Sequence, residues 1–144
     1  MAAVIIRNLS DVLAGLEVQE DRLENAAQTA IATAGFEIQR QAQKNANTGS
    51  HPRRQGHIPG TGPGPNVVTG TLRRSIRTDV KYGFGSYIAV VGADTEYARA
   101  VELGSTRWKS GVKYPYLAPA ATDLIISGKL NRVFTAAFIK AVRG

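Results

Sequence analysis

From Asn8 to about Ala46 the apolar residues fall at three- and four-residue steps: Leu9, Val12, Leu13, Leu16, Leu23, Ala27, Ala30, Ile31, Ala34, Ile38 and Ala42. That spacing collects them on one side of a 3.6-residue helix, so the pattern predicts a single long amphipathic helix at the N-terminus. Ser10 or Asn8 can accept a hydrogen bond from a helix-start amide, and Asp11 suits the positive end of the helix dipole. Gly15 and Gly35 each cost roughly 1 kcal/mol relative to alanine inside a helix. A bend or a close packing contact is expected at either.

The periodicity then stops. Residues 47–66 hold four of the six prolines and five glycines, a composition that defeats both helix and interior strand. So long a loop is uncommon inside a domain, and it reads as an exposed, flexible arm that orders against a neighbour. Val67 to Ile76 then read as a short helical turn leading into a strand over Arg77–Tyr82. Gly83-Phe84-Gly85-Ser86 supply turn residues, and Tyr87–Gly92 form the returning strand of a β-hairpin. Ala93 to Leu103 places Tyr97, Ala98, Val101 and Glu102 at helical spacing, stopped by Gly104 where a left-handed cap is favoured. Ser105 to Lys113 is polar and basic around Trp108. Tyr114-Pro115-Tyr116-Leu117 is extended, because the residue before a proline is pushed out of the helical region, and is a candidate third strand beside the hairpin. Pro119 suits the first turn of a helix to about Ile126, and Ser127-Gly128 interrupts it. Leu130, Val133, Phe134, Ala137, Phe138, Ala141 and Val142 mark a terminal amphipathic helix. The predicted fold class is α+β: a long N-terminal helix, a small, mainly antiparallel sheet, C-terminal helices and a long Gly/Pro-rich loop.

Composition narrows the picture. A chain of 144 residues, 43% apolar and 20% charged, suits one domain spanning 1–144. It has no cysteine, which excludes disulfides and thiolate metal sites. No apolar run approaches the roughly 20 residues that span a bilayer, and the stretch at Met1–Arg7 is too short for a signal-peptide core. A soluble, unexported protein without membrane contact is expected. The net charge of +7 is uneven: residues 1–37 carry six acids against Arg7 and Arg22, while residues 38–144 carry sixteen Lys or Arg against five acids. Such polarity fits an anionic partner, head-to-tail packing of acidic on basic faces, or a solvated basic surface.

Catalytic and cofactor chemistry is present only in fragments. His51 and His57 both fall in the Gly/Pro arm, where solvated loop histidines are the simpler reading, and a rigid zinc site lacks its ligand spacing. Gly60-Thr61-Gly62-Pro63-Gly64 has neither the Gly-Lys-Ser/Thr end of a phosphate loop nor a dinucleotide fingerprint, and its prolines remove amides a phosphate would need. The pairs Glu17/Asp21 and Glu20/Glu24 sit at i, i+4 and read as a charged helix face. No cofactor, metal or catalytic residue is assigned. Arg53, Arg54, Arg73, Arg74, Arg77, Lys81, Arg107, Lys109 and Lys113 can contact phosphates, and Trp108 and Tyr114 can stack on bases, but no nucleic-acid module frames them. For Arg73 and Arg74 the bland alternative is one ion pair at most and one solvated side chain. Trp108 between two cations also suits an anchor in an adjacent subunit.

The order of four pieces carries a resemblance: Val68-Thr69-Gly70-Thr71-Leu72-Arg73-Arg74-Ser75-Ile76, then Val91-Gly92, then Tyr97-Ala98-Arg99-Ala100-Val101-Glu102-Leu103-Gly104-Ser105, then Tyr114-Pro115-Tyr116-Leu117-Ala118-Pro119-Ala120. This progression resembles the neck family (head–tail joining, tail completion) of long-tailed phages, typified by gene product ten of the lambdoid phage HK-ninety-seven. Gly104-Ser105-Thr106 departs from the usual Gly-Thr by one residue. The resemblance implies a non-enzymatic virion protein, made in the host bacterial cytoplasm, that assembles as a homo-oligomeric ring at the head–tail junction. A hexamer is expected, touching head-completion or stopper proteins on one side and tail-terminator or tail-tube proteins on the other. Passing double-stranded DNA would be met without sequence choice; a tail-terminator ring and a free DNA-binding protein are the alternatives. Thr69, Gly70, Leu72, Arg73, Ser75, Gly92, Tyr97, Ala98, Glu102, Gly104, Pro115, Leu117 and Pro119 are then structural motif residues. Tyr97 and Val101 would pack a short helix on the hairpin, and Glu102 would pair with an arginine such as Arg73 or cap the Gly104 turn. Arg53, Arg54, His57, Arg107, Trp108 and Lys109 are the candidate intersubunit contacts.

Overall fold

The computed structural model describes residues 9–47, 65, 70–83, 86–106 and 113–143, with side chains of the first helix from Gly15 onward. That helix, α1 (Leu9–Asn45), runs unbroken for 37 residues, about 55 Å at 1.5 Å per residue. The positions it buries are small: Ala26, Ala30, Ala34 and Ala42, with Ala46 just past its end. Between Ala30 and Ala42 the buried side turns by roughly 120° about the axis. The cause is that partners approach from two directions, the C-terminal helix along one side and the hairpin along the other.

The hairpin side begins at Gly70, whose φ of 72° and ψ of 9° start the one-turn helix α2 (Thr71–Ser75) in the left-handed region that glycine adopts without steric cost. Strands β1 (Ile76–Gly83) and β2 (Ser86–Ala93) pair antiparallel, with Ile76 opposite Ala93 and Gly83 opposite Ser86. Burial alternates with the pleat: Thr78, Val80, Ala89 and Val91 are the less exposed set, and Arg77, Asp79, Lys81, Ile88 and Val90 the exposed one. An isolated two-stranded hairpin is marginal in water, so its packing on α1 is what holds it. Gly35 makes that contact possible, since a Cβ there would lie 2.6 Å from Thr78 Cγ2 and 2.9 Å from Ala89 Cβ. The Thr78 hydroxyl sits 2.8 Å from Gln39 Oε1 and 3.1 Å from the Gly35 carbonyl, and the Gln43 side chain donates to the Ile76 carbonyl at 3.3 Å. Gly15, by contrast, has open space around it. The expected packing contact is therefore at Gly35.

Three expectations change downstream. The helix after the hairpin, α3, is Ala98–Leu103 rather than starting at Ala93. Strand β2 keeps its pairing through Ala93, and a turn closed by Ala98 N–H donating to the Thr95 carbonyl intervenes. Gly104 does stop α3 at positive φ, but with ψ of 167° it is not a left-handed helical cap; its N–H donates to the Ala100 carbonyl. Tyr114–Leu117 is not a third strand: among the described residues the sheet has β1 and β2 alone. The Tyr114 N–H bonds to the Val101 carbonyl, tying this stretch to α3, and Leu117 already opens the next helix.

Helix α4 (Leu117–Ile126) carries Pro119 in its first turn, and Gly128, at φ 69°, turns the chain into α5 (Lys129–Arg143). α5 runs antiparallel to α1: Lys129 Nζ lies 2.7 Å from Glu37 Oε2, and Ala137, Lys140 and Ala141 line a groove with Ala26 and Arg22. Continuing that register brings Arg143 level with Leu23. The architecture is α+β, a two-stranded antiparallel sheet and three shorter helices around α1 with α5 alongside. None of the described helices is long and apolar enough to cross a membrane. The Gly/Pro-rich arm, except Asn47 and Pro65, and the 107–112 part of the later loop lie outside the described residues.

Candidate functional site

The motif pieces, scattered over some fifty residues of sequence, converge on one cluster. Leu72 and Ile76 from the first piece, Ala98 and Val101 from the third, and Tyr116 and Ala120 from the fourth are all buried against Ala42 and Ala46 of α1, with Val91 packed beside them. Ser75 supports this by donating from its hydroxyl to the Leu72 carbonyl at 2.8 Å, which closes α2 before β1 begins. Gly92 pairs with Arg77 across the hairpin, where a salt bridge from Arg77 to Asp94 spans 2.8 Å at the surface. Leu117 packs on the rim of the cluster.

Glu102 binds the third piece to the fourth. Its carboxylate accepts from the backbone N–H groups of Tyr116 at 2.8 Å, Leu117 at 3.0 Å and Ala118 at 2.8 Å. A helix start leaves about four amides without intrahelical partners. Here the fourth position is Pro119, which has no N–H, so one side chain satisfies every free donor at the start of α4. Negative charge at a helix N-terminus is also favoured by the dipole. The expectations that Glu102 pairs with Arg73 or caps the Gly104 turn are corrected: Arg73 and Arg74 are both exposed, and the carboxylate is spent on α4. Tyr97 is corrected too. It precedes α3 and is 45% exposed, so Ala98 and Val101, not Tyr97, seat the helix.

Three described groups titrate away from their ordinary values, each because of burial or a hydrogen bond. Burial pushes the Tyr116 phenol up to about 12, helped by the nearby Glu102 charge and by Tyr97. Hydrogen bonding to Lys129 holds the Glu37 carboxyl below its ordinary value, with Arg40 and Lys44 adding to the effect. The Tyr87 phenol is raised because it donates to Glu24 Oε1 at 2.7 Å. Among the described residues no group of His, Cys, Asp and Glu is placed to hold a metal ion.

The proposed contact residues Arg53, Arg54, His57, Arg107, Trp108 and Lys109, and the motif residue Thr69, lie outside the described residues. What the structure does place is apolar surface that sequence reasoning passed over. Leu16 and Leu23 on α1, Ile125 and Ile126 at the end of α4, and Phe138, Ile139 and Val142 on α5 are all exposed, Ile126 by 79% and Val142 by 72%. None of the residues of α5 is buried. A groove of about 320 Å3 runs between α1 and α5, floored by Ala26, Ala137 and Ala141 and flanked by Arg22 and Lys140. The signal in the sequence was the seven-residue spacing of Leu9, Leu16 and Leu23, and Phe138-Ile139 standing side by side on a helix. Adjacent helical positions differ by about 100°, so both cannot pack squarely on α1.

A family model described as "Bacteriophage HK97-gp10, putative tail-component" matches residues 10–104, from the start of α1 to the end of α3. The fourth motif piece, Tyr114–Ala120, lies beyond that match. No curated protein and no solved structure matches the chain.

Proposed function

The chain belongs to the HK97-gp10-like family of bacteriophage tail components, and from that premise we propose that it is a non-enzymatic ring subunit of the virion, seated at the head–tail junction, where it joins the DNA-filled head to the tail. The observation that carries this reading is the division of the molecule. The motif residues close a core around the C-terminal end of α1, while α4, α5 and the N-terminal turns of α1 present large apolar side chains to solvent. Large apolar side chains left exposed in this way fit places where another protein binds. A ring, sixfold to match the tail, follows from head-to-tail contacts that close on themselves. Neighbouring head-completion or stopper proteins and tail-terminator or tail-tube proteins are its other partners.

Imaging particles that carry a labelled copy of this subunit tests the placement. A label confined to one ring between head and tail is the expected result, and a label along the tail tube or over the capsid would refute it. A tail-terminator ring is the nearest competing role, and the same image separates the two by which side of the junction the label occupies. The exposed Arg73 and Arg74 and the net charge of +7 favour, as a second reading, a protein that binds DNA on its own. Submicromolar binding of the purified chain to duplex DNA at physiological salt, with a steep salt slope, would establish that reading and sink the purely structural one.

A further inference from the structure

Among the described residues, the N-terminal turns of α1 have no partner. Among the described residues α5 comes level with Leu23, and the hairpin contact nearest the start of α1 is the Tyr87–Glu24 hydrogen bond. Every residue from Gly15 to Asn25 is exposed. Leu9 to Asp21 therefore extend past the described part of the body by about 20 Å at 1.5 Å per residue. Leu16, Leu23 and Ala30 are seven residues apart, a spacing that drifts only about 20° per step, so they share one side of the helix. Ala30, within the body, is fully buried, whereas Leu16 is 58% exposed. These turns thus continue a burying face that none of the described residues covers. Glu20 lies between the two leucines and Glu17, Asp21 and Glu24 run beside them, against Arg22 as the one cation of Leu16–Glu24.

The last two turns of α5 offer the complementary surface. Phe138, Ile139 and Val142 lie away from the α1 groove and line, with Arg143, a second groove of about 240 Å3. Arg143 lines that groove beside Ile139, Lys140 lies about 60° further round toward the α1 groove, and α5 contains four cations, Lys129, Arg132, Lys140 and Arg143, and no acid. Lys129 is committed to Glu37 near the start of the helix, which leaves the other three beside or behind the apolar patch. An acidic flank with a leucine stripe and a cationic flank with an aromatic and aliphatic patch match in both charge and polarity. Both belong to the same chain, so each copy carries one half of the contact at each of two sites.

We propose that the projecting turns of α1 in one copy lie along the outer face of the last two turns of α5 in a second copy of this chain. The proposal rests on the ring reading above and names the surfaces that would build it.

The chain has no cysteine, so introduced thiols report the contact against a clean background. One full-length preparation carries Leu16→Cys or Leu23→Cys, and the other Ile139→Cys or Val142→Cys. All four positions are exposed, and circular dichroism confirms folding before use. On mixing and oxidation, disulfide dimers are expected between the two preparations and not within either. Glu17→Lys with Glu20→Lys should lower the yield severalfold, and Lys140→Glu with Arg143→Glu in the partner should restore it. Dimers formed within the Leu16→Cys preparation alone, no dimers between the preparations, or a yield indifferent to the charge reversals would each overturn the proposal. The two readings fail separately. Particles that join heads to tails with the reversed α1 charges refute this interface and leave the virion role standing. A charge-dependent crosslink in a protein absent from particles keeps the interface and removes the role.

Discussion

Glu102 holds the start of α4 with three charge-assisted hydrogen bonds, and an alanine in its place would leave three amides to find water at the edge of the core. Losing a helix cap costs about 1–2 kcal/mol, and hydrogen bonds to a charged group lie toward the upper end of that range. Glu102→Ala should therefore lower stability by about 2 kcal/mol in urea titration, and Glu102→Gln, which keeps an acceptor but not the charge, by about half as much. Equal losses for the two variants would show that the charge contributes nothing. Gly35 gives a second residue-scale test. A methyl group there meets Thr78 and Ala89 on strands that cannot retreat without leaving α1. Overpacking of this kind costs about 1–3 kcal/mol and exceeds the roughly 1 kcal/mol gain in helix propensity. Gly35→Ala should destabilise, whereas Gly15→Ala, with nothing nearby, should be neutral or stabilising; thermal melts of the pair decide. Both glycines stood out in the sequence as costly inside a helix, but only the tertiary neighbour distinguishes them.

At the scale of elements, α5 is held to α1 by its apolar side and by the contact from Lys129 to Glu37. The Glu37 carboxyl is held below its ordinary value in the folded state. The unfolded chain therefore binds its proton more readily, and the contact's stabilisation is present above the ordinary carboxylate range and lost as pH falls through the lowered folded value. Glu37→Gln should thus be less stable than the parent at pH 7, and the difference should shrink as pH is taken below about 4, the ordinary carboxylate range. A gap in urea midpoints that stays constant with pH would rule the ion pair out as its source. Elements were the most legible level of this chain: α1, the hairpin, α4 and α5 follow from hydrophobic period and from Gly and Pro. The misplaced stretch was Tyr114–Leu117. Pro115 suggested extended backbone, but Tyr116 sits at φ −130°, ψ −30° and Leu117 is already in α4, and a segment becomes a strand only where a free edge meets it. Here Val101 and Glu102 take up its amides instead.

For the whole molecule, the buried cluster and the exposed first turns of α1 occupy different ends. The buried cluster surrounds the C-terminal end of α1, and the arm and the 105–113 loop leave the described chain within a few residues of it, at Asn47 and Thr106. The acidic projection lies at the opposite end of a helix about 55 Å long. Deleting residues 50–64 should therefore leave the core intact. We expect that variant to melt cooperatively near the parent temperature and yet fail to enter particles. Normal incorporation would show that the arm is not an assembly contact.

The amino-acid sequence by itself determined the element types, the charge polarity and the motif order, because period, proline and glycine act locally and charge needs no fold to be counted. Only the tertiary structure decided that Glu102 caps α4 rather than pairing with an arginine, that Tyr97 is exposed, and that none of the described residues covers the first turns of α1. Each of those outcomes depends on which distant segment arrives beside a residue. That is settled by where the small faces of α1 let the hairpin and α5 come close, and a linear pattern does not encode the distance.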